Sequence, residues 1–210
     1  MVRNLEVSRT TKETDIFASL TFPEPFREPP QEESGSPSQG FRDRVISVDT
    51  GIPFFDHMLQ AFLFHGGFAG EIRAKGDLEI DDHHTVEDTG IVLGTLFSRV
   101  TEQFGPVERF GHSLVPMDDS LGEVVVDACG RSYLVYQVSF PQPWAGRFDL
   151  ALVREFFTGF AQNARINLHI LGRYGLNGHH LAEALFKASG RALGAAYLPS
   201  KGVRSTKGVL

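Results

Sequence analysis

Two copies of one pattern, His83-His84-Thr85-Val86-Glu87 and His179-His180-Leu181-Ala182-Glu183, hold the side chains in this sequence best suited to chemistry. An imidazole and a carboxylate four residues apart share one face of a helix, whereas adjacent residues diverge by about 100°. His83 with Glu87, and His179 with Glu183, can therefore each hold a cation, while His84 and His180 point elsewhere. Apolar residues at helical spacing follow both copies: Ile91, Val92, Leu93, Leu96, Phe97 and Val100 after the first, Leu185, Phe186, Leu193 and Tyr197 after the second. Both patterns thus open a helix. If the motifs face one another, each divergent histidine completes the other motif's site, giving two equivalent metal positions that neither copy makes alone.

Of eight histidines, four lie in the motifs, and His57 and His169 each lie upstream of one copy. The expected ligand sets are His83, Glu87, His180 and His169 for one ion, and His179, Glu183, His84 and His57 for the other. His65 and His112 are left unassigned. Three imidazoles and one carboxylate leave positions open for substrate, as catalytic sites do and closed structural sites do not. The donors alone admit zinc, iron, cobalt or manganese. A single copy is more often a solvated, dipole-matched helix start than a metal site, and it is the repetition in matched context that argues for metal. Asp56, Asp81, Asp82 and Asp88 are either acceptors that orient ligating imidazoles or helix-terminal charges.

The elements that must position these residues follow from periodicity. Alternation predicts strands at 3–8 and 14–22, with Ile16, Ala18 and Leu20 on one face and a polar turn between. Residues 22–41 are rich in proline and poor in aliphatic side chains, which predicts a mobile excursion. A strand resumes at Val45, and Gly51-Ile52-Pro53 leads into a helix that sends Phe54, Phe55, Met58, Leu59, Phe62 and Leu63 to the core with His57. A short strand at 71–77 precedes the first paired-histidine helix, which ends near Gly105-Pro106. Strands at 109–116, 123–127 and 132–140, a helix over 148–163, a strand at 166–170 and the second paired-histidine helix repeat the plan. The expected fold is α+β. Two tandem duplicated α/β half-units, 1–106 (with the insertion 22–41) and 107–210, pack mixed sheets on a four-helix layer, sheets on one side and helices on the other.

The 210 residues, 41% hydrophobic and 22% charged, suffice for one sizeable core. A net charge of −6 argues against a nucleic-acid footprint. The single Cys129 precludes an internal disulfide and suits a reducing compartment, and no apolar run approaches membrane-spanning length. A cytoplasmic protein without nucleic-acid or membrane partners is expected.

Thr50-Gly51-Ile52-Pro53-Phe54-Phe55-Asp56-His57-Met58-Leu59, Gly76-Asp77-Leu78 through Asp88, Asn177-Gly178-His179-His180 through Ala188, and Ser205-Thr206-Lys207-Gly208-Val209-Leu210 together resemble imidazoleglycerol-phosphate dehydratases over nearly the full chain. The resemblance implies a ribosomal protein S5 domain 2-like fold. It also implies a hydro-lyase of histidine biosynthesis that converts imidazole glycerol phosphate to imidazole acetol phosphate. Two manganese ions per active site, which hold the ring as an imidazolate, and a homo-oligomeric shell of twenty-four chains are implied with it. Glu13, within Arg9-x-Thr11-x-Glu13-Thr14, would be the acid and base, with Glu183, His83 and His179 at the reacting centre. Arg109, Arg131, Lys187, and Ser205 with Lys207 in the tail would bind the phosphorylated substrate, with Glu13 also against it. The bare residues leave two rivals: a metal-dependent phosphate-ester hydrolase, and a non-catalytic metal-binding cage.

Overall fold

The computed structural model describes residues 3–23 and 45–202, so all but the first two residues of the excursion expected at 22–41, and the tail carrying Ser205 and Lys207, lie outside the described residues, while Phe22 is buried in the core. The first half runs β1 (Asn4–Thr10), β2 (Thr14–Thr21), β3 (Ile46–Asp49), α1 (Pro53–Gly66), β4 (Ala69–Gly76) and α2 (His83–Phe104). The second runs β5 (Phe110–Met117), β6 (Ser120–Asp127), β7 (Tyr133–Gln137), a short hairpin of β8 (Trp144–Ala145) and β9 (Phe148–Asp149), α3 (Leu152–Ala164), β10 (Asn167–Tyr174) and α4 (Gly178–Ala196). Local chemistry sets several ends. Pro53 opens α1 where a missing N–H costs nothing, and Gly67 closes it in the left-handed region. The Asn177 side chain caps α4 by accepting from the His179 amide, and Asp81, one residue before the first residue flanking α2, accepts from the His83 amide.

Each half forms a four-stranded mixed sheet with the same plan. The orders are β1-β2-β4-β3 and β5-β6-β10-β7, with the first three strands antiparallel and the last pair parallel. The α+β class and the helix layer are as the periodicity predicts, but the layering differs from sheets on one side and helices on the other. α1 and α2 cover the first sheet, and α3 and α4 cover the second. The helices then pair across the halves, α1 with α4 and α2 with α3. They therefore lie between the two sheets, because each carries one apolar stripe toward its own sheet and another toward the opposite half. A phenylalanine-rich core of Phe55, Phe62, Phe97, Phe156, Phe160 and Phe186 fills the crossing.

The helix pairs approach closely at two corresponding glycines. A Cβ on Gly94 would stand 2.4 Å from the Phe160 carbonyl oxygen, and one on Gly190 would stand 2.1 Å from that of Phe62. These contacts fix the register between halves. Gly94 follows His83 by the same interval as Gly190 follows His179, and Phe160 follows Glu155 by the same interval as Phe62 follows His57.

The hairpin β8–β9 is the main local difference from the expected elements. It occupies the start of the helix predicted over 148–163, because Gly146 adopts φ 62° and turns the chain before Leu152.

Candidate metal centre

On α4, His179 Nε2 and Glu183 Oε2 stand 3.4 Å apart, one turn along the same face. α1 crosses that face and brings His57 Nε2 to 3.5 Å from the same oxygen. One potential ligand atom from each of the three lies within 4.8 Å of the others. Two imidazole nitrogens and a carboxylate oxygen at this spacing can converge on one cation at ordinary bond lengths, about 2.0–2.2 Å, with positions left open. The donor set fits a divalent metal. Burial pushes the Glu183 carboxyl up, but Lys187, whose Nζ lies 2.8 Å from Oε1, together with His57, outweighs it and holds the pKa below the usual range. The carboxylate is thus ionised before any metal arrives.

The other motif repeats this on α2, where His83 Nε2 and Glu87 Oε2 are 3.5 Å apart. By the glycine register, the α3 residue corresponding to His57 is Glu155, and it lines one cavity with Asp81, Asp82 and His83. The expected ligand for that place, His169, does not lie there within the chain. His169 lies exposed on β10 between Leu168 and Ile170, which are both buried toward the helices, so its side chain leaves the opposite face of the sheet. A matching of the apolar patterns of α1 and α3, Phe55, Met58, Leu59 and Phe62 against Val153, Phe156, Phe157 and Phe160, would have found Glu155.

The divergent histidines turn away from both clusters, as a 100° step requires. His84 Nδ1 lies 3.0 Å from Asp77 Oδ2, and its Nε2 is 3.9 Å from Glu13. His180 Nδ1 lies 2.6 Å from Asp119, and its Nε2 is 3.6 Å from Asp118. A carboxylate at Nδ1 fixes the ring and leaves Nε2 to coordinate. These bonds raise both imidazole pKa values, from Asp77 for His84 and from Asp119 for His180. Asp119 is itself held well below the carboxylate range by His180 and the Leu176 and Asn177 amides. The two motifs lie at the same end of the helix layer, but the β8–β9 segment borders the cavities beside both. Within one chain, then, His84 does not complete the His57, His179 and Glu183 cluster, and His180 does not complete that of His83 and Glu87. The expected orienting aspartates also change identity. Asp56 accepts from Thr50, Asp81 accepts from the His83 amide, and Asp88 binds Arg9 and Thr14. Asp77 and Asp119 orient the rings.

Among the expected substrate residues, Lys187 shares a cavity with His57, Gln60, Phe64, His65 and Glu183. His65, unassigned from sequence, therefore joins the site, and its pKa is lowered by burial and by the charges of Lys187 and Arg191. Arg109 holds Asp127 with two N–H groups, at 2.6 and 3.0 Å. Its amide donates to the Ala196 carbonyl, at the far end of α4 and about 25 Å along the helix from His179. Arg131 is exposed beside the same end, where the Cys129 thiol contacts its carbonyl. Neither arginine meets the motif histidines within one chain.

A sequence model of the imidazoleglycerol-phosphate dehydratase family matches residues 50–193. The imidazoleglycerol-phosphate dehydratase of Gluconobacter oxydans is 46% identical over 212 residues, covering 99% of this chain and 98% of the relative. That of Desulforudis audaxviator is 43% identical, covering 100% and 99%. The crystal structure of the Staphylococcus aureus enzyme aligns with TM-score 0.76 at 36% identity over 94% of this chain and 99% of that one. The Pyrococcus furiosus structure aligns with TM-score 0.77 at 36% identity, over 97% and 100%.

Proposed function

The chain belongs to the imidazoleglycerol-phosphate dehydratase family, and from that premise we propose that it removes water from imidazole glycerol phosphate to give imidazole acetol phosphate in histidine biosynthesis. The observation that carries this reading to the residues is the convergence of His57, His179 and Glu183. The second cation belongs with His83, Glu87 and Glu155, and manganese is the metal we assign to both. A divalent cation held by these donors would supply Lewis-acid charge to an azole nitrogen and so ease loss of the ring N–H proton.

The chain's own groups divide the remaining work. Glu183, kept ionised by Lys187 and His57, is ready to ligate without first losing a proton. Lys187 and His65 border the same cavity and offer N–H donors to substrate oxygens. Glu13, 57% exposed at the tip of the β1–β2 turn and facing the His84 ring, is the group we assign to moving the proton between carbon and the departing hydroxyl. Glu13→Gln should lower kcat by about 10²- to 10⁴-fold with little change in metal content.

The site is completed by other copies of the chain. His84 and His180 present Nε2 away from their own chain's clusters, and Arg109 and Arg131 lie at the opposite end of α4. A homo-oligomer, which we take as twenty-four chains, supplies ligands and phosphate-binding groups across subunit boundaries. Ser205 and Lys207 join them from the tail. The common sheet order favours duplicated halves at 1–106 and 107–210. No described helix is long and apolar enough to cross a membrane, which suits the cytoplasmic placement we assign.

The test is dehydration of imidazole glycerol phosphate, followed by the absorbance of the enolised product in chelator-stripped and manganese-loaded protein. Turnover that needs manganese supports the reading. Release of inorganic phosphate without dehydration would favour an ester hydrolase instead, and tight metal uptake with no turnover would favour a cage.

A further inference from the structure

The two halves match in sheet order and helix register, yet their turns beside the divergent histidines are held differently. In the second half, the β5–β6 turn contributes Asp119, whose Oδ1 binds His180 directly while Oδ2 accepts from the Leu176 and Asn177 amides. In the first half, Asp77 takes the role of binding the histidine ring, and the β1–β2 turn carries Glu13. Among the described residues, the Glu13 carboxylate approaches the His84 ring, at 3.9 Å. A carboxylate so loosely engaged needs its backbone fixed from elsewhere.

Its backbone is fixed through α2. Thr14 Oγ1 donates to Asp88 Oδ2 at 2.5 Å, and Arg9 Nε donates to Asp88 Oδ1 at 3.1 Å. Thr14 is 3% exposed and Asp88 8%, so the Thr14–Asp88 bond is shielded from water, whereas the Arg9 side chain reaches Asp88 from a partly exposed position. Thr11 Oγ1 accepts from the Glu13 and Thr14 amides, and the Asp77 amide donates to the Glu13 carbonyl. Asp88 follows His83 by the interval at which Ala184 follows His179. Ala184 is fully buried and has no polar group to offer, so only the half that carries Glu13 has this attachment. A buried charge costs desolvation that a plain hairpin could avoid, which calls for a reason to keep it here.

We propose that Asp88, acting with Thr14 and Arg9, is a positioning residue that ties the β1–β2 turn to α2 and so holds the Glu13 carboxylate in register with the His83-His84 motif. This rests on the reading of Glu13 as the proton-transfer group. The motif helix thus carries both a cation-binding face, His83 and Glu87, and a polar anchor one residue further on for the acid–base group. A displacement of the turn by about 1 Å would leave the fold and the metal ligands intact yet slow proton transfer.

The experiment compares Thr14→Val, Thr14→Ser, Asp88→Asn and Glu13→Gln, and the double variant Thr14→Val/Glu13→Gln, in manganese-loaded full-length enzyme. Metal content and Tm are measured alongside kcat and KM. Thr14→Val and Asp88→Asn should each lose about 10- to 100-fold in kcat, with KM within about twofold and metal content unchanged. Thr14→Ser, which keeps the hydroxyl, should restore kcat. In the Glu13→Gln background, Thr14→Val should change kcat by less than about twofold, since the group it positions is already gone. Parental kcat in folded Thr14→Val and Asp88→Asn, or losses that multiply fully onto Glu13→Gln, would overturn the positioning role. Parental kcat in Glu13→Gln would instead overturn the assignment of Glu13, and the role of Asp88 with it. If Thr14→Val does not fold, Asp88→Asn and its double variant with Glu13→Gln make the same distinction.

Discussion

Asp119 and His180 show how one hydrogen bond sets both ionisation states at the edge of the site. The raised pKa of His180 means that its protonated form is favoured by folding. That contribution is complete below the unfolded imidazole value of about 6.5 and is lost as pH rises through the higher folded value. Asp119, depressed in the fold, contributes above its unfolded value of about 4 and loses that contribution as pH falls through the folded one. In metal-free protein, Asp119→Asn should therefore lower Tm more at pH 5.5 than at pH 9, measured by calorimetry. An equal loss at both would show that the pair is not coupled. At this scale the sequence was partly legible. The His-x-x-x-Glu pairs are contiguous, and helical spacing alone places each on one face. Asp77 and Asp119 were not legible, because each meets its histidine through packing of separate elements, and Glu155, which shares a cavity with His83, could be found only by matching the apolar patterns of α1 and α3. The placement of His169 within the chain was legible too: Leu168 and Ile170 flank it on a strand, and alternation sends it away from the helices.

At the scale of elements, the site is built where helices cross, and the crossings depend on absent side chains. Gly190→Ala would force a Cβ against the Phe62 carbonyl and push α1 off α4. We expect a cost of about 1–3 kcal/mol in chemical denaturation, together with weakened metal binding at the His57, His179 and Glu183 cluster. A variant of unchanged stability and metal affinity would contradict the account of this crossing. Strands and helices were read from periodicity to within a few residues, since each buries one face. Which helix pairs with which was not readable, because the same apolar stripe would fit any neighbour. The β8–β9 hairpin was missed for a related reason: Phe148 and Leu150 suit either a helix start or a buried strand end, and the turn at Gly146 decides between them.

At the scale of the whole molecule, the proposed ligand sets are incomplete within one chain, with His84 and His180 held by carboxylates outside them, so activity should belong to the assembly. His84→Ala and His179→Ala, each inactive alone, should regain part of the parental turnover when unfolded together and reassembled, because mixed assemblies contain intact sites drawn from one copy of each. No recovery would confine the site to a single chain. The central claim, that the paired helices hold the cations used for dehydration, is tested most directly by elemental analysis of metal-loaded protein in parallel with turnover of imidazole glycerol phosphate. The account predicts about two divalent ions per chain, about one in His57→Ala and in Glu155→Ala, and turnover that falls with the ions. Full dehydration activity in protein that contains no metal would contradict it.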